Sequence, residues 1–196
     1  MIRRKLLEDL KTVITMAIAI ADVNQMNYEE FLDCFGNIIQ AAKWMTSSLW
    51  SFRPYSSTIE IHRCVCKMLD TLPLEVKEGL LRGLPDLAGR EARENKLGFE
   101  CKKEQRAAGL LRDLPETKQV LINNFNARYR AKFNFPFVLC ARENKMESIL
   151  NGFRNRIGKS REEEVEIGIG EIKKICWYRL CDIVSSPTMP EYVSKL

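Results

Sequence analysis

The stretch that decides the fold is the segment 160–184, SREEEVEIGIGEIKKICWYRLCDIV. Its apolar side chains recur at spacings of three and four residues, which is the period of one face of an α-helix. These side chains are Val165, Ile169, Ile172, Cys176, Leu180 and Ile183. Ser160 followed by Glu163 matches a capping box, and the acidic first turn suits the positive end of the helix dipole. We therefore expect the molecule to be organised around one long helix over residues 160–184.

The rest of the chain also shows helical patterns. Ser57 followed by Glu60 matches a second capping box, and it predicts a helix to about Leu72 that Pro73 would stop. Further helices are predicted over residues 28–33, 37–50, 74–82, 101–112, 115–131 and 146–156. No segment shows the sustained alternation of apolar and polar residues that a half-buried strand requires. The pattern predicts an all-α, single-domain, multi-helix bundle.

Composition excludes several classes of protein. The chain has 196 residues, of which 45% are hydrophobic and 29% charged. These values are ordinary for one folded domain, and they exclude a disordered tail, a collagen-like repeat and a small disulfide scaffold. The net charge of +5 is too small to indicate a nucleic-acid partner. The apolar run over 13–21 is about half the length of a membrane-spanning helix, so no membrane partner is expected.

Seven cysteines and a single histidine give no metal or redox motif. An odd number of cysteines at irregular spacing argues against a disulfide framework, and free cysteines usually behave as small buried hydrophobes. The pair Cys64 and Cys66 lies near His62 but lacks the C-x-x-C spacing of a zinc site. Phe133, Phe135 and Phe137 alternate around Pro136 and are expected to be core aromatics. No metal ligand and no cofactor are predicted from these residues.

The two ends of the chain are predicted to lie outside the domain. Residues 1–20 form an N-terminal extension whose basic and apolar parts are separated by Glu8 and Asp9, which favours an extra helix over a signal peptide. Residues 185–196 contain two prolines and are expected to form a flexible tail. The tail finishes with Ser194, Lys195 and Leu196. At a free carboxyl terminus this tripeptide is the peroxisomal address, so it predicts peroxisomal localisation and an import receptor as partner.

Two charged residues fall on predicted apolar faces. Arg179 lies seven residues after Ile172, near the middle of the buried stripe, where a cation is costly unless an anion meets it. Glu104 lies three residues after Cys101 and four before Ala108, so it projects toward the same face as they do. The sequence leaves three alternatives open: a mutual ion pair, an arginine that reaches the helix edge, or a polar pocket lined by both.

Several segments, in this order along the chain, resemble one family. They are 27–31 with 35–37, 50–54, 85–90, 104–105 with 108–110, 129–141, and 171–176 with 179–180. Together they look like the 2-oxo-4-hydroxy-4-carboxy-5-ureidoimidazoline (OHCU) decarboxylases of urate breakdown. The resemblance covers most of the chain, and it indicates a family domain over residues 21–184.

This resemblance implies a fold and an activity. The fold would be the all-helical OHCU decarboxylase type, and the protein would be a homodimer. The reaction would convert the ureidoimidazoline substrate to (S)-allantoin without a metal or organic cofactor. Animal members of the family are peroxisomal, in agreement with the tripeptide at 194–196.

The resemblance also implies which residues form the site. Glu104 and Arg179 match the polar active-site residues of the family, and Leu84, beside Pro85, stands where the family has its proton-donor histidine. Two segments match substrate-binding stretches, and in the second the backbone amides would bind the polar edge of the ring. The first comprises Cys101, Lys102, Lys103, Glu104 and Gln105, and the second comprises Phe137, Val138, Leu139, Cys140 and Ala141.

Leu84 is the main departure from the family pattern. A leucine side chain carries no exchangeable proton, and loss of a general acid typically costs about 10²–10⁴ in rate. Because His62 lies on a predicted helix far from the motif, it is not expected to replace the missing group. Three interpretations stay open: a weak decarboxylase, a non-catalytic paralogue that binds ureides or pairs with an active subunit, or an altered position in an otherwise normal enzyme.

Overall fold

A computed structural model of the chain describes residues 17–40, 42–111 and 114–185. These residues form an all-α fold, as predicted, and their only β pairing is an isolated bridge between Ile18 and Val184. The helices are α1 (Ile20–Gln25), α2 (Tyr28–Phe35), α3 (Lys43–Ser51), α4 (Thr58–Asp70), α5 (Leu74–Arg82), α6 (Arg90–Arg93), α7 (Phe99–Ala107), α8 (Glu116–Phe133), the 3₁₀ helix η1 (Ala141–Glu143), α9 (Met146–Arg156) and α10 (Arg161–Ile183).

The long terminal helix α10 is the centre of the molecule, and its predicted start is confirmed. The Ser160 side chain accepts the N–H of Glu163, and the Glu163 carboxylate accepts the N–H of Ser160. The helix packs against α4 and α5. At Gly168 the approach to α5 is so close that an added Cβ would lie 2.7 Å from Cδ2 of Leu81. A glycine at this position therefore allows the two helices to touch.

The helix predicted over residues 37–50 is shorter than expected. It begins only at Lys43, and the residues that follow α2 form turns. Two carbonyls in these turns are used by side chains of α10: that of Asn37 accepts from Arg179 Nη1 at 2.9 Å, and that of Ile38 accepts from Cys176 Sγ at 3.4 Å. Because these partners come from a distant part of the chain, local periodicity could not show that the helix starts late.

The predicted aromatic core around residues 133–137 is confirmed. Phe133, Phe135 and Phe137 are each at most 1% exposed. Phe137 stacks on Phe153 at 4.0 Å between ring centroids and meets Tyr129 edge-on at 5.2 Å. The segment after α8 is thereby anchored against α8 and α9, although it has no regular secondary structure of its own.

Several predictions about the chain ends lie outside the described residues. This applies to residues 1–16 of the predicted extension and to the tripeptide 194–196. The residues next to them are described: Ile18 N–H donates to Ile183 O at 2.8 Å, and Ser185 N–H donates to Ile18 O at 3.0 Å. Within the described ranges, no helix has the length and apolar character needed to cross a membrane.

All seven cysteines are free thiols, as expected from their spacing. Cys101, Cys140 and Cys176 are buried, whereas the other four are partly exposed. Their burial was therefore overestimated from the sequence. In the described part of the chain, no three side chains of the histidine, cysteine or acidic type lie together as a potential metal site.

Candidate active site

A small cavity of about 40 Å³ lies where four segments of the chain meet. These segments are the loop after α5, helix α7, the stretch that precedes η1, and helix α10. A cavity of this size can hold water, which needs roughly 10–15 Å³ for one molecule. It is lined by Leu84, Pro85, Leu87, Cys101, Glu104, Gln105, Phe137, Val138, Leu139, Ala141, Ile175 and Arg179.

Glu104 of α7 and Arg179 of α10 form a two-pronged ion pair in the cavity wall. Arg179 Nε donates to Glu104 Oε1 at 2.8 Å, and Nη2 donates to Oε2 at 3.0 Å. The residues are 7% and 4% exposed, respectively, so water screens the pair little. The alternatives left open by the sequence are resolved: the two residues pair with each other, and both line the cavity.

The surroundings of Arg179 keep it charged. Burial alone would lower the pKa of Arg179, but the hydrogen bonds and charge of Glu104 outweigh it and raise that pKa above its usual value. Beside it, the Cys101 thiol donates to Gln40 Oε1 at 2.7 Å. Burial raises the pKa of Cys101, and the charge of Arg179 offsets part of that rise. The site therefore presents a fixed cation, its carboxylate partner and a protonated thiol.

The loop after α5, residues 84–89, is held by side chains rather than by regular structure. Gln105 Oε1 accepts the N–H of Ala88 at 2.9 Å, Gln119 donates to the carbonyl of Ala88 at 2.9 Å, and Asn126 donates to that of Leu87 at 3.0 Å. These bonds fix Ala88 in a left-handed conformation with φ of +48°. The position of Leu84 in the cavity wall is thus set by a well-anchored loop.

The stretch that precedes η1 is anchored at two points. The carbonyl of Val138 accepts from Arg156 Nη1 at 2.8 Å, and the N–H of Cys140 donates to Glu171 Oε2 at 2.7 Å. Arg156 is itself held by Glu164, which is fully buried in α10. These three charged residues were missed from the sequence. The helical period of α10 could have identified two of them, because Glu164 and Glu171 lie two turns apart on its buried side.

Comparison with known proteins supports the resemblance that the sequence suggested. The sequence profile described as OHCU decarboxylase matches residues 24–181. The chain belongs to the OHCU decarboxylase family. A 2-oxo-4-hydroxy-4-carboxy-5-ureidoimidazoline decarboxylase from Xenopus laevis is 40% identical over 168 residues, which cover 86% of this chain and 95% of the relative. The protein of the same name from Amia calva is 39% identical over 166 residues, with coverage of 84% and 94%.

Two solved structures share the OHCU decarboxylase fold. The crystal structure of (S)-allantoin synthase aligns with a TM-score of 0.67 at 19% identity and covers 85% of this chain and 54% of that chain. The crystal structure of OHCU decarboxylase in the presence of (S)-allantoin aligns with a TM-score of 0.61 at 17% identity, with coverage of 82% and 100%. These alignments, with the helices described above, confirm the predicted all-α fold of the family type.

Not every residue predicted from the family resemblance lines the cavity. Lys102 donates to Asn95, and Lys103 pairs with Asp182 at 3.0 Å, so both point elsewhere. Cys140 lines an adjoining recess rather than the cavity itself. Ile175 and Leu87 line the cavity but were not predicted. As expected, His62 is not among the lining residues; it is buried, and its Nε2 lies 2.8 Å from the carbonyl of Lys173.

Proposed function

We propose that this chain decarboxylates 2-oxo-4-hydroxy-4-carboxy-5-ureidoimidazoline to (S)-allantoin in urate degradation, at a rate limited by Leu84. The observation that carries the proposal is the buried two-pronged pair of Glu104 and Arg179 in the wall of a cavity. The names of the Xenopus and Amia relatives support the same reaction class, a carboxy-lyase acting on a small ureidoimidazoline.

The reaction needs a fixed charge pattern in a site with little water. The bond between the ring carbon and its carboxylate breaks, carbon dioxide leaves, and the electron pair passes into the ring. Arg179 places a permanent cation near the cavity, and Glu104 holds its guanidinium plane in one orientation. Charges fixed in this way before the reaction stabilise the developing anion without reorganisation at the moment of bond cleavage.

The carbon that loses carbon dioxide must then receive a proton on one face. Leu84 lines the cavity at the family's histidine position and offers no proton. We infer that water in the cavity supplies it, while Glu104 and Arg179 orient the substrate. Residual catalysis by orientation and charge is common after loss of one proton-transfer group. A second function, a ureide-binding subunit without turnover, is favoured by the same apolar side chain at position 84.

A comparison of the natural chain with Leu84→His and Leu84→Gln tests both functions. Substrate is generated freshly from urate, and the circular dichroism of the allantoin formed is followed. We expect slow formation of (S)-allantoin by the natural chain and an increase of about 10²-fold in Leu84→His. Leu84→Gln is the matched control, since it adds polarity without an imidazole.

Each outcome of this comparison selects one function. If only Leu84→His forms (S)-allantoin faster than the spontaneous racemic reaction, the natural chain is a binding subunit with an intact pocket. Equal rates for all three proteins would mean that proton transfer at position 84 does not limit the reaction. If no variant exceeds the background, the decarboxylase function is wrong.

We also propose a homodimer and peroxisomal import. Both follow from the family resemblance, and import further requires that Ser194-Lys195-Leu196 is a free carboxyl terminus that the receptor can bind. Light scattering after gel filtration measures the mass against 22.7 kDa for one chain. Deletion of the tripeptide should disperse a tagged protein into the cytosol of cells that lack an intact copy, and continued import would contradict the proposal.

A further inference from the structure

The cavity wall formed by Phe137–Ala141 is held by polar contacts on the side that faces α9 and α10. The N–H of Cys140 donates to Glu171 Oε2 at 2.7 Å, and its carbonyl accepts from Asn144 Nδ2 at 2.9 Å. The carbonyl of Val138 accepts from Arg156 Nη1 at 2.8 Å. The carbonyl of Val138 and both backbone polar groups of Cys140 are therefore committed to partners within the protein.

Extended backbone alternates the direction of successive polar groups. Cys140 is extended, with φ −69° and ψ 98°. In a planar trans peptide the N–H points opposite to the carbonyl of the preceding residue. The N–H groups of Leu139 and Ala141 therefore point away from Arg156 and Asn144, which bind the carbonyls of Val138 and Cys140, and both residues line the cavity. Across 17–40, 42–111 and 114–185, neither of these two N–H groups donates to a protein acceptor.

The anchors of this stretch are buried charges. Glu171 is 8% exposed, and its second oxygen accepts from Lys174 Nζ at 3.1 Å. Arg156 donates through Nε to Glu164 at 2.7 Å and lies 4.4 Å over the ring of Phe137. A carboxylate is a stronger acceptor for a backbone N–H than a neutral group is. The stretch is thus fixed by groups that do not themselves line the cavity.

We propose that Glu171, with Arg156 as the second anchor, is a positioning residue that turns the N–H groups of Leu139 and Ala141 into the cavity. The family resemblance already implies that backbone amides of this stretch bind the polar edge of the ureidoimidazoline ring, and the new element is the role of Glu171 in positioning them. This inference rests on the proposed function. Glu171 acts through the Cys140 amide, and its effect falls on substrate binding more than on bond cleavage.

Three variants separate positioning from a merely structural role, in the natural chain and in the Leu84→His background. Glu171→Leu removes the acceptor of the Cys140 N–H, and we expect KM to rise about tenfold with a smaller change in kcat. Glu171→Gln keeps an acceptor oxygen, so its KM should stay close to that of the parent protein. Lys174→Met is the matched control, because it removes the other partner of Glu171 and leaves the Cys140 bond in place.

Thermal unfolding and far-ultraviolet circular dichroism report whether each variant folds. If Glu171→Leu does not fold, Cys140→Pro replaces it, since proline accepts a φ near −65° and also removes the N–H. Unchanged KM in the variant that breaks the bond would overturn the inference and leave the proposed function intact. An equal rise in KM in Glu171→Gln and Glu171→Leu would overturn it as well, because the acceptor oxygen for the Cys140 N–H would then have no effect on substrate binding.

A second readout decides the inference if neither background turns over substrate, in which case the proposed function itself has failed. (S)-Allantoin is titrated into ¹⁵N-labelled protein, and the amide resonances of Leu139 and Ala141 are followed. Shifts of these resonances in the parent that are lost in Glu171→Leu and retained in Glu171→Gln would support the inference. No shift in the parent, or the same shift in all variants, would overturn it.

Discussion

At the scale of the residue, Arg179 belongs to both the core and the candidate site. It lies in the apolar stripe of α10, is 4% exposed, and meets the carboxylate of Glu104 through two hydrogen bonds. The remaining nitrogen, Nη1, donates to the carbonyl of Asn37. A buried pair of this kind adds little stability compared with apolar residues, but the loss of one partner leaves a buried charge.

We expect this asymmetry to be measurable. Arg179→Met should lower the free energy of unfolding by about 3–5 kcal/mol, because Glu104 is left buried without its partner. The double variant Arg179→Met with Glu104→Met should recover part of that loss. Urea unfolding of the natural chain, both single variants and the double variant gives the coupling energy. Additive effects of the two single variants would show that the pair does not interact as described.

His62 predicts a pH dependence of stability. Burial lowers the pKa of His62, and the nearby charge of Lys173 lowers it further, although the hydrogen bond to the Lys173 carbonyl opposes both. In the unfolded chain the histidine has its usual pKa of about 6.5. As the pH falls through that value, the unfolded state takes up a proton that the folded state resists. The contribution of His62 to the free energy of unfolding should therefore be fully present above pH about 7 and should decline below it.

The variant His62→Gln isolates this contribution, since glutamine can also donate to the Lys173 carbonyl. As the pH falls from about 6 to the pKa of His62 in the folded protein, the free energy of unfolding of the natural chain should decrease faster than that of the variant. The difference should be up to about 1.4 kcal/mol per pH unit. Urea unfolding at a series of pH values measures the difference between the two proteins. Parallel pH profiles would mean that His62 takes up its proton equally well in the folded state.

At the scale of the element, α10 shows what a sequence pattern can and cannot reveal. Its limits, its cap and its apolar stripe follow from spacing alone, and the inward position of Arg179 was predicted from the same pattern. Glu164 was missed because it belongs to the acidic first turn of α10, a pattern that indicates a favourable helix start, and Glu171 was missed in the middle of the same helix. Glu164 is instead fully buried against Arg156 and Tyr129. Their spacing of seven residues places both acids on the buried side of α10, but the partners that meet them there lie on other segments, and spacing contains no information about those partners.

The close contact between α5 and α10 predicts opposite effects for two glycines. An added Cβ at Gly168 would lie 2.7 Å from Leu81 Cδ2, whereas at Gly79 its nearest neighbour is the Arg82 guanidinium at 4.0 Å. Gly168→Ala should therefore lower the free energy of unfolding by about 1–3 kcal/mol through overpacking, because Leu81 is fully buried.

The exposed glycine of α5 is the matched control. Gly79→Ala should raise the free energy of unfolding by about 0.5–1 kcal/mol, the usual gain in helix propensity. Both values come from thermal or urea unfolding. Stabilisation by Gly168→Ala would show that α5 and α10 are further apart than the structure indicates.

At the scale of the whole molecule, the candidate site is assembled from segments that are distant in sequence. Glu104 and Arg179 are separated by 75 positions, and Cys140 and Glu171 by 31. The helical pattern predicts the longer helices but not α1, α6 or η1, and the family resemblance assigned the lining residues to segments. Neither pattern shows which side chains meet, so Lys102 and Lys103 were expected at the site although both bond elsewhere. Packing between elements, rather than the elements themselves, determines the cavity.

The thiols give a test of the whole packing arrangement. All seven cysteines are free, and Cys101, Cys140 and Cys176 are buried. Burial also raises the pKa of each of these three thiols, which reduces the fraction present as reactive thiolate.

In guanidinium and without reductant, all seven cysteines should react with a thiol reagent. In the folded protein, Cys101, Cys140 and Cys176 should be strongly protected from it. Mass spectrometry of the labelled peptides identifies the sites. Rapid labelling of Cys176, which is fully buried on the inner face of α10, would mean that this helix does not pack as described. Fewer than seven reactive thiols in guanidinium would reveal a disulfide.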